Sequence, residues 1–370
     1  MSRRAMRAGG PAPRPGVGAP DGRRADRAAA GQWLVRGRDG RLTAYAQSAE
    51  RLLRWTEVRP GGPEWTGPDV FEVPGVSRLT VAQGADGYVH VLGRRSVLGE
   101  DGATRVDLVH ATQYQSGRPL GPLHSAGSPY RDPERSARLG EPAAAVGASG
   151  ALWLFVRNAG GGVSARTDGA SGGWKSWRDL KGSGVRGDLA PAVDSAGRVE
   201  LLAPGRSGAL HWGRQEAGGE PRRAPDVPVV PTEGSITALE TSPDRITYYW
   251  ADAATGALMA HRPGGWVIPL GGVPSAGRPA ALRAPIDGYD CTVLAHRAED
   301  GQIMLAACGS EQEDAGLWWA STGETSPGDP GLALDAHGRI VLAVVGADGR
   351  LHVSRQKPEQ GLAMGRAARF

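Results

Sequence analysis

Phenylalanine is scarce in this chain of 370 residues, with three Phe beside eleven Trp and seven Tyr. Lysine is equally rare, at Lys175, Lys181 and Lys357 alone. Beside abundant Arg, Ala and Gly, that bias points to a high-GC bacterial genome. Two cysteines, Cys291 and Cys308, are too few for a disulfide framework. No apolar run approaches the length of a membrane span. Basic residues near the N-terminus are not followed by an apolar stretch of signal-peptide type, so a cytoplasmic protein is expected. Helical periodicity is missing throughout. So are the motifs of common enzymes: no G-x-S-x-G elbow, no H-E-x-x-H, no P-loop, and no G-x-G-x-x-G opening a helix. Sialidase-type Ser-x-Asp-x-Gly-x-Thr-Trp boxes and calcium-type Asp-x-Asp-x-Asp runs are absent as well. These absences predict a non-catalytic protein with no cofactor and no metal.

What is present is repetition. A short apolar run, a tight turn and a second apolar run recur seven times, at 33–47, 89–115, 152–166, 199–215, 246–262, 291–308 and 340–356. Gly 57 and Pro 28 make up close to a quarter of the chain and fall between these runs, which reads as loop-rich β structure. A fuller unit at 188–215 holds three strands, and its turns at 194–197 and 205–208 end in Gly, which supplies the positive φ of a tight turn. First strands precede most hairpins, at 79–83, 142–146, 236–240, 279–283 and 331–335. A fourth strand is clearest at 172–180 and weaker at 65–71, 264–270 and 315–319. Four short antiparallel strands repeated seven times predict an all-β, seven-bladed β-propeller. The last unit shows no evident fourth strand after Gln356, and the first has only 28–32 where an inner strand belongs. The two chain ends are therefore expected to complete the terminal blade together, hiding its edges.

Charge divides the chain in the same places. Residues 1–30 carry seven Arg against two Asp, a net of +5, and 357–370 carry three cations against Glu359, a net of +2. With +4 overall, the remainder is near −3. The domain reading is thus a disordered basic arm over 1–30, a propeller over 31–356 and a C-terminal tail over 357–370. The basic character belongs to the tails, so no nucleic-acid partner is expected.

The run Gly-Gly-Trp-Lys-Ser-Trp-Arg-Asp-Leu at 172–180 is followed by Pro-Ala-Val at 191–193, Ala-Gly-Arg-Val-Glu at 196–200 and Gly-Ala-Leu-His-Trp at 208–212. This succession resembles the PLL-like family of β-propellers, related in architecture to fucose-binding propeller lectins and tectonin-like proteins. The resemblance spans 31–356 at the level of the repeat and is sharpest in the middle units. It implies sugar binding in shallow pockets between neighbouring blades, with Trp side chains from the Gly-Gly-Trp strands as platforms. The double-Trp motif is intact only at Trp174 and Trp177; Glu-Pro-Arg-Arg-Ala-Pro-Asp-Val-Pro at 220–228 stands where another Trp strand belongs. At most a minority of the pockets would keep such chemistry.

A sugar's C–H face stacks on an indole while nearby polar groups bond its hydroxyls. Trp174, Trp177, Trp212 and Trp266, with Arg178 and Asp179, are the candidate carbohydrate contacts. The competing reading makes these rings packing between blades, where one ring buries up to about 250 Å². His211 and His352 share one repeat position and read as consensus residues. Cys291 and Cys308 would face each other across a directly paired hairpin, whereas a bulge at Gly301 would put them on opposite faces. Insertions at 93–105 and 116–139 depart most from the repeat, and loops of that kind carry individual function. Two readings stay open: a non-catalytic, lectin-like propeller, or an intracellular protein-interaction scaffold that has lost sugar binding. Either places a glycan or protein ligand at the inter-blade grooves.

Overall fold

The computed structural model describes residues 26–100, 102–168, 173–213 and 216–370. The basic arm up to residue 25 lies outside the described residues. Leu-, Val- and Ala-rich runs broken by left-handed glycines pair as antiparallel ladders, giving seven sheets around one axis. Blade 3 shows the plan: Ala143–Val146, Leu152–Arg157, Val163–Thr167 and Arg178–Asp179, from the axis outward. Blade 1 runs from Leu34–Arg36 to Trp65–Glu72, and blade 2 from Val76–Gln83 to His124–Gly127. Blade 4 spans Ala190–Val193 to Arg222–Arg223 and blade 5 Thr237–Ser242 to Val267–Gly271. Blade 6 spans Ala280–Ile286 to Ala320–Thr325 and blade 7 Gly331–Leu334 to Ala368–Arg369. The chain is a seven-bladed β-propeller.

The core is divided among the seams between blades. Strand alternation sends Leu154 and Val156 towards blade 2, and Trp153 and Phe155 towards blade 4, where they meet Leu201, Leu210 and Trp212. Small residues line the axis, where a channel of about 420 Å³ remains between the inner strands. In two inner turns a buried Asp ties the turn together: Asp194 accepts from the Arg198 backbone and guanidinium at 2.8 and 2.9 Å, and Asp335 does the same for Arg339 at 3.0 and 2.8 Å.

Three expectations are corrected. The phrase at 33–47 holds the first and second strands of blade 1, not the second and third found in blades 3 and 7. Its true partner hairpin, Leu42–Ser48 with Arg51–Glu57, turns at Ala49, which takes φ +49° without a glycine to mark it. Closure needs no exchange of chain ends. Arg27–Ala28 adds to blade 1 itself, and Ala368–Arg369, inside the segment set apart as a tail, supplies blade 7 with its own fourth strand. The sheets therefore begin before residue 31 and end after residue 356. Eleven residues lie between Gln356 and that strand at 368, too many for a regular hairpin spacing to reveal it.

The two longest insertions have structure of their own. Residues 93–105 extend one hairpin, Val89–Leu98 with Thr104–Gln113, while 116–139 includes the outer strand His124–Gly127 and the helix Pro133–Ala137. In blade 6, Gly301 adopts φ +83° and the ladder pairs Arg297 with Ile303. Cys291 then faces Gly309 and Cys308 faces Thr292, so the thiols are free and on opposite faces. Burial, then the Glu313 charge, pushes Cys308 up to about 12, leaving it an unreactive thiol. No described helix is long and apolar enough to cross a membrane.

Candidate functional site

Adjacent blades are joined by a recurring clasp. The Trp212 Nε1 donates to the Leu180 carbonyl at 2.8 Å, and Trp319 Nε1 donates to Leu270 at 3.0 Å. In each case the residue after the acceptor is left-handed: Lys181 at φ +64° and Gly271 at φ +66°. The glycine that follows lets the ring close in, since a Cβ on Gly182 would stand 2.8 Å from the Trp212 ring. Between blades 2 and 3 the carbonyl is Ala126, the left-handed residue Gly127, and the donor is the Arg166 guanidinium instead of an indole.

That substitution sets apart the groove between blades 2 and 3. On Val163–Thr167, Val163 and Ala165 join the core with blade 4, so alternation turns Arg166 towards blade 2. Its Nε and Nη2 donate to the Lys175 carbonyl at 2.9 and 2.6 Å, pinning the turn that precedes the outer strand. The guanidinium carbon lies 5.3 Å from the Trp174 ring centre and 5.2 Å from that of Trp177. Both rings are half-buried against a core that includes Leu92, Leu108 and Leu154. The Trp177 indole nitrogen is buried without a hydrogen-bond partner. From blade 2, His110 meets Trp174 edge-on at 5.5 Å and contacts His90 at 3.0 Å, ring nitrogen to ring nitrogen, and the Thr112 hydroxyl at 3.3 Å. Burial, then the charges of His90 and His124, pushes His110 down to about 3, so this wall is neutral. Burial also pulls the Arg166 guanidinium below its usual range, with no acid to offset the effect.

The six sequence candidates do not form one site. Trp174 and Trp177 come together as expected, but Arg178, the next residue along, points away and pairs with Glu220 at 3.0 Å. Asp179 accepts from the Lys181 backbone and ammonium at 2.9 and 3.1 Å. Trp212 has no exposed surface at all and belongs to the seam between blades 3 and 4. Trp266 is 90% exposed, just ahead of the outer strand of blade 5. His211 and His352 are equally buried, each 7% exposed, in keeping with a repeat position; His352 sits between Glu324 at 3.1 Å and Asp348 at 3.2 Å.

The contrast between two of these rings is measurable. Trp212→Ala should cost about 3–5 kcal/mol in urea unfolding, whereas Trp266→Ala should stay within about 0.5 kcal/mol. Similar losses for both would contradict the burial described.

Sequence reasoning missed Arg166, His90 and His110. The available signal was Arg166 on a short strand eight residues ahead of Trp174. The histidines lie on the blade 2 hairpin, whose insertion hid their register with blade 3.

No protein-family model and no curated protein matches the chain. Solved structures do share its fold. The BP39L lectin of Burkholderia pseudomallei superposes with a TM-score of 0.66 at 14% identity, over 93% of this chain and 99% of its own. AofleA of Arthrobotrys oligospora gives 0.52 at 10% identity, over 82% of this chain and 89% of its own.

Proposed function

We propose that the protein is a non-catalytic carbohydrate-binding propeller of the PLL-like kind, with its working site in the groove between blades 2 and 3. One observation carries the reading: Trp174 and Trp177 are only half-buried, and both lie against the Arg166 guanidinium with its hydrogen-bond donors. That combination of an indole face and fixed hydrogen-bond donors suits a pyranose, whose C–H groups stack while its hydroxyls accept. A propeller of the same fold, BP39L, is named a lectin, which agrees with the reading. A glycan array on the wild type and on Trp174→Ala tests it. Wild type should bind a subset of glycans, and the variant should bind them at least about tenfold more weakly, a loss of roughly 1.4 kcal/mol. A folded wild type that binds no glycan sinks the reading.

A second reading, protein docking, draws on exposed aromatics of blades 5 and 6. Trp266, Trp318 and Tyr289 are 90%, 93% and 75% exposed. Their connections, first-to-second and third-to-fourth strand, all open on one face of the ring, as antiparallel order requires. Exposed aromatics of this size are enriched at protein interfaces. A glycan array without hits would favour this surface over the groove.

A further inference from the structure

We propose that the groove between blades 2 and 3 selects an anionic saccharide, one bearing a carboxylate or a sulfate ester, and that Arg166 reads the charge. The inference rests on the saccharide-binding reading above and narrows its ligand class.

Three other inter-blade arginines are each paired with an acid. Arg262 of blade 5 reaches Glu313 of blade 6 at 2.6 Å, and Arg355 of blade 7 reaches Glu57 of blade 1 at 2.7 Å. Arg54 bridges blades 1 and 2 and carries Asp69 at 2.5 Å. In these three seams the cation brings its own carboxylate, which offsets the cost of desolvating its charge. Arg166 differs from these three: it makes no ion pair among the described residues. Its partners are two carbonyls and two indole faces, which hold a cation in place without neutralising it.

Two acids of these blades, Asp168 and Asp107, are already engaged. Asp168 accepts from the Leu152 backbone at 2.8 Å, and Asp107 is shared between Arg95 at 3.1 Å and the Ser125 hydroxyl at 2.8 Å. A guanidinium has five N–H donors. Three of those on Arg166 are used, so two remain for a ligand, on a side chain that is only partly buried. Lys175, exposed beside it, adds a second positive charge, and the histidine wall adds none. A neutral hydroxyl could accept from Arg166 but would leave its charge uncompensated. An oxyanion both accepts and compensates, in a charge-assisted bond roughly twice as strong.

The test is an array on which each acidic glycan is printed beside its neutral parent, followed by calorimetric titration of the hits. Support requires that acidic members bind at least about tenfold more tightly than their parents, with the advantage shrinking as salt rises. Arg166→Gln should weaken both members of each pair and bring the acid-to-parent ratio to about one, while Arg166→Lys should restore part of that ratio. Equal binding of acid and parent, or an advantage that survives in Arg166→Gln, overturns the inference and leaves the lectin reading standing. No hit of either kind overturns both. Should Arg166→Gln fail to fold, the wild-type ratio and its salt dependence decide alone.

Discussion

Acidification from about pH 7 to about pH 5 should destabilise the propeller by roughly 1.4 kcal/mol per pH unit for each histidine it holds neutral, once below a pH near 6.5. Burial lowers His90, His110, His261 and His296, and it takes His110 to about 3. The sign follows from which state takes up the proton. Below a pH near 6.5 the unfolded chain takes up protons on these imidazoles more readily than the folded chain, whose histidines burial has lowered, so stability is full above that point. It is lost as pH falls, and for His110 the loss continues to about 3. Most carboxylates titrate below this window. Glu141, Asp168 and Asp329, raised by burial, work against the trend as they protonate. Urea unfolding across the range checks it, and His296→Leu should remove one histidine's share. Both ring nitrogens of His296 are buried without partners, so leucine gives up no hydrogen bond there. Stability that stays flat over the interval would refute the account.

Glu57→Ala should be the most damaging single change at the closure of the ring, costing about 3–5 kcal/mol. Glu57 has no exposed surface. Its carboxylate accepts from the Leu42 and Gly61 backbones at 2.9 and 3.2 Å and from Arg355 across the seam at 2.7 Å. Alanine strands all three donors, one of them a mostly buried cation. Pulse proteolysis should then find cleavage first in blades 1 and 7. Arg355→Met in the same background should recover part of the loss, because it removes a mostly buried charge left with only the more distant Asp335, at 3.8 Å. A double variant no better than Glu57→Ala would show that the ion pair is not the source.

The repeat was legible because it rests on local chemistry. Gly84, Gly147 and Gly205 mark inner and hairpin turns wherever they occur, and alternating Leu, Val and Ala mark the faces between them. Blade 1 was read one strand out of step because Ala49 turns left-handed with no glycine to announce it. The site was half legible. Trp174 and Trp177 stand out by type and spacing, but what completes their groove comes from another blade, about 65 to 85 residues earlier, and that juxtaposition follows from sheet stacking alone. Trp212 was indistinguishable from them by type. Only its position against Leu180 shows that it is a clasp.

Blades 1 and 7 are each complete in themselves, and side chains alone join them. Asp26 lies beside Gly349, with its carboxylate 3.0 Å from where a Cβ would stand there, and Phe370 exchanges backbone bonds with Leu351 two residues on. Both ends of the described ring thus flank one turn. The seam where the described ring begins and ends is held by side chains, whereas Ala30–Gly31, just ahead of blade 1, pairs with Thr80–Val81 of blade 2. Circular permutation, with Phe370 linked to Asp26 and the chain opened between any other two blades, leaves every sheet intact. In such an architecture the blade is the unit that duplication and recombination can move.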